Sequence, residues 1–161
     1  MTDKKEILPL IEALEKVYGK PSGTGFGSAV FYKSTKNDGA LESIAANDYK
    51  TFMGDQWNAE SEARWKSVWK LVYERSTGTT PDILAELNDL KDADAKRSVP
   101  LLTEFVEHAD QGKLALAAVF NHTDIVKFQV FNVGDGEALA GLLLCGLFSD
   151  LSVCSVICLM D

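Results

Sequence analysis

Apolar residues recur at helical spacing through the first two-thirds of the chain and crowd into strand-like runs near its end. Residues 4–18 read as a helix, because Ile7, Leu10, Ile11, Leu14 and Val17 share one face. Gly19 can end it, and Pro9 implies that the helix begins near that residue or bends there. A glycine-rich turn, Pro21 to Gly27, leads into a first strand, Ser28-Ala29-Val30-Phe31-Tyr32. Asp38 can cap a second helix, about 40–53, with Leu41, Ile44, Ala45, Tyr49 and Phe52 inward. Asn58 can cap a third, about 59–75, whose buried stripe is Trp65, Val68, Trp69 and Val72. Thr80-Pro81 starts a fourth, with Ile83, Leu84, Leu87 and Leu90 as its apolar set. Ser98 opens a fifth, burying Leu101, Leu102, Phe105, Val106 and Ala109.

Past residue 112 the character changes. Lys113 to Phe120 is almost wholly apolar and reads as a central strand. Asn121-His122-Thr123-Asp124 is a turn, and Ile125 to Val133 alternates as a half-buried strand antiparallel to its predecessor. Gly134-Asp135-Gly136 breaks it. Residues 137–148 fit a helix or a strand, since a short apolar run has no deciding period. Leu151 to Met160, rich in Val, Ile and Cys, reads as a buried strand. The expected architecture is a single α+β domain over 1–161, with about four mainly antiparallel strands packed against five or six helices.

Composition sets bounds on this picture. The chain has 161 residues, 46% apolar and 25% charged, which suits one folded domain and argues against disorder. Its formal net charge of -8 repels nucleic acid backbones and anionic lipid but attracts a basic protein. The longest near-apolar run, Ala138 to Phe148, is too short to cross a bilayer as a helix, and the charged N-terminus lacks a signal-peptide core. Cys145, Cys154 and Cys158 lie in apolar surroundings and read as reduced, buried thiols. The cytoplasm is the expected location.

Candidate chemistry is sparse. His108 and His122 fall in different elements, and nothing places a cysteine or serine beside either. Cys154 and Cys158 lack the further ligands of a zinc site, and Asp92-Ala93-Asp94 lacks the glycine and glutamate of a calcium loop. No metal or cofactor is therefore expected. Gly23 to Gly27 has the wrong order for a phosphate loop, which needs a strand before it and a helix after. Asp135 between two glycines reads as a tight turn.

Two features favour binding instead. Asp82, Glu86 and Asp89 share one helix face within an acidic stretch that continues to Asp92 and Asp94. Trp57, beside Asp55 and ahead of a helix, suits an exposed interface anchor. The expected contact residues are Asp55, Trp57, Asp82, Glu86 and Asp89, with a basic protein as partner. Two alternatives stay open: a small-molecule-binding or enzymatic domain with its pocket near Gly134–Gly136 and the Gly23–Gly27 turn, and an adaptor or structural subunit.

The order of several segments resembles the nuclease A inhibitor-like family. The matching features are the N-terminal helix, the strand Ala29-Val30-Phe31-Tyr32, Asp48-Tyr49-Lys50-Thr51-Phe52, and Gln56-Trp57 before an acidic-led helix. Val130-Phe131-Asn132-Val133-Gly134 and Leu139-Ala140-Gly141-Leu142 follow the family's pattern near its end. Residues 81–110 and the segment after Leu142 depart from it. The resemblance implies an acidic inhibitor of a nuclease or other toxin, of the immunity type; it transfers no individual functional residue.

Overall fold

The computed structural model describes residues 4–35 and 41–160, with side chains from Ile7 onward. The expected cap Asp38 lies outside the described residues. Six helices and five strands follow one another: α1 (Lys4–Tyr18), β1 (Gly27–Ser34), α2 (Leu41–Met53), α3 (Glu62–Val68), β2 (Lys70–Glu74), α4 (Ile83–Asn88), α5 (Ala93–Thr103), α6 (Ala109–Phe120), β3 (Ile125–Gly134), β4 (Ala140–Phe148) and β5 (Ser152–Met160). A 3-10 turn, Gly54–Gln56, extends α2. The strands form one sheet in the order β1-β5-β4-β3-β2, antiparallel at every neighbour.

Helices cover both faces of that sheet. Val30, Phe128, Val130, Leu142, Leu144, Cys154, Val156 and Cys158 meet α1, α4, α5 and α6 on one side. Ala29, Phe31, Phe131, Val133, Leu143, Cys145, Ile157 and Leu159 meet α2 and α3 on the other. Strand side chains alternate between faces, so even-numbered residues of β3, β4 and β5 serve the first core and odd-numbered ones the second. Antiparallel sheets often leave one face wet and then show alternation in sequence. Here neither face is wet. Residues 141–148 and 152–159 are buried throughout, which is why residues 137–148 carried no period to read; from Ala140 onward they form β4, a strand.

Four expectations are corrected. Lys113–Phe120 is not a strand but most of α6: Ala115, Leu116, Val119 and Phe120 are buried at 3–4 spacing, while Leu114 stands 74% exposed. Alanine and leucine favour helix, and an almost unbroken apolar run hid that period. The helix expected over 59–75 divides, with α3 ending at Val68 and the sheet-edge strand β2 following. Trp69 breaks it with extended backbone, and its ring stacks on Phe131 of β3 at 4.5 Å. The fourth helix is capped by Asp82, not Thr80, through Ala85 N–H at 3.3 Å. The fifth begins at Ala93, capped by Asp92 through Ala95 N–H at 3.0 Å, so Ser98 lies inside it and it ends at Thr103. As for Pro9, α1 starts ahead of it and runs through it.

Candidate functional site

The five expected contact residues divide between the two helical layers. Asp55 and Trp57 lie between α2 and α3 on one side of the sheet; Asp82, Glu86 and Asp89 belong to α4, which packs on the other. Glu86 is not a surface group. Its side chain is only 9% exposed and is gripped by Arg75 of the segment after β2. Tyr73 Oη donates to it at 2.6 Å. Asp92 is paired with Lys70, and Asp94 with Arg97. The acidic stretch from 82 to 94 is thus largely neutralised by the fold, leaving Asp82 and Asp89 exposed at the two ends of α4.

A different acidic surface appears where α5 stops early. Phe105, expected inside the fifth helix, stands 72% exposed in the α5–α6 loop. Its N–H and that of Glu104 both donate to the Pro100 carbonyl, at 2.9 and 2.8 Å, which closes the helix end and turns the chain outward. Glu104 and Glu107 of the same loop, and Asp110 in the first turn of α6, are exposed as well. His108 adopts left-handed backbone (φ 61°), a conformation rare outside glycine, and launches α6 as its N-cap. His108 Nε2 lies 3.6 Å from Glu107, and Lys113 of α6 lies 3.6 Å from Asp110. An exposed ring among carboxylates was legible as a type of site, but the apolar spacing of Leu101, Leu102 and Phe105 pointed that ring inward.

Trp57 is half-buried in an aromatic groove between α2 and α3 with a volume of about 450 Å³. Tyr49 stands edge-on to Trp57 (centroids 5.9 Å apart) and tilted against Trp69 (5.8 Å). Trp65 is core, its Nε1–H donating to the Gln56 carbonyl at 3.0 Å. Trp57 Nε1 is buried with no acceptor among the described residues.

A second hollow, of about 370 Å³, lies between α5 and the β3–β4 turn, with Gly136, Leu139, Leu101 and Arg97 in its lining. Gly23 to Gly27 contributes nothing to it; that turn is tied to α2 by Gly25 N–H on the Phe52 carbonyl (2.8 Å) and by Gln56 Nε2 on the Thr24 carbonyl (3.0 Å). Asp135 closes the β3–β4 turn by accepting from Glu137 N–H (2.8 Å) and Leu139 N–H (2.9 Å). Partial burial pushes its carboxyl up, but these backbone donors outweigh burial and hold it below the usual carboxylate range. Neither histidine lines any of the described cavities. His122 Nδ1 accepts from Asp124 N–H at 3.1 Å inside its own turn.

The three thiols are free and buried. Burial pushes Cys145 and Cys158 up to about 12 and raises Cys154 well above the usual thiol range, so none offers a thiolate near neutral pH. No group of three or more His, Cys, Asp or Glu among the described residues is arranged to hold a metal ion. No described helix is long and apolar enough to cross a membrane.

No protein-family model, curated protein or solved structure matches the chain. The likeness to nuclease A inhibitor-like proteins therefore stands on its residues alone. The segment after Leu139-Ala140-Gly141-Leu142, where the chain departs from that family, builds β5 in the interior of the sheet.

Proposed function

We propose that the protein acts by stoichiometric binding, as an immunity-type inhibitor of a basic protein such as a nuclease or other toxin, with the α5–α6 loop as its contact surface. One observation carries this: Phe105 stands exposed in a loop that also carries exposed Glu104 and Glu107, with exposed Asp110 opening α6. An exposed aromatic side chain is a good energetic anchor, and carboxylates in the same segment steer a cationic partner and fix its orientation. The overall charge of -8 acts in the same direction at longer range. Asp82 and Asp89, in the same helical layer, add to that field.

The test is a binding titration against a panel of basic nucleases, at low and moderate salt, with inhibition of DNA cleavage read in parallel. Association should be one-to-one, weaken as salt rises, and be lost in the Phe105→Ala variant. Binding that ignores both salt and Phe105 overturns the assignment.

The alternative of a small-molecule or enzymatic domain has one observation in its favour, the hollow beside Gly136. A ligand-dependent rise in melting temperature, abolished by filling that hollow with Leu101→Trp, would replace the first proposal with this one.

A further inference from the structure

The groove between α2 and α3 combines an aromatic lining with a net positive charge. Its walls are the rings of Tyr49, Trp57 and Trp69, two of them half-buried, and its volume of about 450 Å³ lies within the range of small-molecule sites. Trp65 is buried, whereas Trp57 and Trp69 are half-buried, each against the Tyr49 ring, and both line the open space.

The charged residues lining that space are Lys50, Lys66 and Glu62. Lys66 Nζ lies 2.8 Å from Glu62 Oε1, and both lysines hold the Glu62 carboxyl below its ordinary range, Lys66 more strongly. Only Lys66 is paired with Glu62, so two ammonium groups against one carboxylate leave the lining one unit positive in a chain of net charge -8. Glu42, which accepts from Trp69 Nε1 at 3.1 Å, is not part of the lining.

We propose that this groove binds a small aromatic carboxylate: a flat ring held against the half-buried Trp57 and Trp69, which the buried Tyr49 backs, with its carboxylate on Lys50 and Lys66. The rings supply an apolar, planar contact that favours an aromatic body, and the lysines supply charge-assisted hydrogen bonds that favour an anion. Binding there leaves the α5–α6 loop free, because α5 and α6 pack on the opposite face of the sheet. The site is independent of the partner surface proposed above.

Naphthylacetate is a suitable probe, with naphthylethanol as its uncharged counterpart, read by two-dimensional amide and indole NMR on the full chain. The three tryptophans give separate indole signals. Naphthylacetate should move the Trp57 and Trp69 signals saturably, with naphthylethanol binding roughly tenfold more weakly. Lys50→Gln and Lys66→Gln, both surface changes, should each weaken the acid severalfold, whereas Glu62→Gln should tighten it. The proposal fails if naphthylethanol binds as well as the acid, if Glu62→Gln weakens binding, if shifts centre on the hollow beside Gly136, or if no saturable shift occurs.

Discussion

Arg75 holds Glu86 through two parallel hydrogen bonds, Nε to Oε2 at 2.8 Å and Nη2 to Oε1 at 2.6 Å. The same guanidinium donates to the Phe120 carbonyl at 2.9 Å and lies over the Phe128 ring, 4.6 Å from its centroid. One arginine thereby clasps the end of β2, the first turn of α4 and the last residue of α6. Removing either charge strands the other in a buried site. Glu86→Ala and Arg75→Met should each cost about 3–5 kcal/mol, and the double variant less than the sum of the two. Urea denaturation at neutral pH measures all three.

The same clasp sets an acid limit. Burial pushes the Glu86 carboxyl up, but hydrogen bonds from Arg75 and Tyr73 outweigh it, and the folded-state value falls below the ordinary one. A carboxyl depressed by folding contributes stability above its unfolded-state value, and that contribution is lost as pH falls through the folded one. Stability should therefore be flat near neutral pH and decline below about pH 5, the ordinary carboxylate range. The decline should be shallower in the Glu86→Gln variant. A steeper one would contradict the assignment.

Phe105 and Phe120 should behave as opposites. Phe120 is fully buried against Phe128 (ring centroids 5.3 Å apart), so Phe120→Ala should cost about 3–5 kcal/mol. Phe105→Ala should change stability by less than about 0.5 kcal/mol while abolishing partner binding. Chemical denaturation together with the nuclease titration separates the two effects.

The thiols should be silent until the fold opens. An aromatic disulfide reagent near neutral pH should label none of the three cysteines in the native protein and all three in denaturant. Rapid native labelling would show that the layers around Cys145, Cys154 and Cys158 open far more readily than their burial implies.

Two glycines allow a graded test of the backbone. A methyl at Gly141 would sit 1.7 Å from the Cys158 carbonyl oxygen, so Gly141→Ala forces β4 and β5 apart and should cost more than about 3 kcal/mol. At Gly78 the space is open and only the left-handed backbone (φ 87°) resists, so Gly78→Ala should cost about 1 kcal/mol. Melting temperatures of the two variants report the difference.

How much of this was legible depended on whether one face of an element stays wet. α1 and α2 were readable because their water-facing sides are polar, so Ile7, Ile11 and Leu14, or Ala45, Tyr49 and Phe52, mark a stripe. The sheet strands β4 and β5 are covered on both faces, and α6 combines a buried stripe with exposed Leu114, so period alone could not tell strand from helix. β2 was lost because Val68, Trp69 and Val72 continue the helical spacing of Trp65, although the chain changes conformation at Trp69. The site suffered from the converse problem. Glu86 looked solvent-facing by its spacing from Asp82 and Asp89, and only the approach of Arg75, just past β2, shows that it is interior.

Because β4 and β5 are greasy on both sides, polarity cannot tell them how to line up; a slip by one residue would still present oil to oil. What distinguishes the native alignment is a pair of notches. Gly141 leaves room for the Cys158 carbonyl, and Gly146 leaves room for the Ile125 and Phe120 side chains, whose nearest atoms lie 2.8 and 3.2 Å from where a β-carbon would be. β4 is keyed by missing atoms, so its alignment code is written in its two glycines.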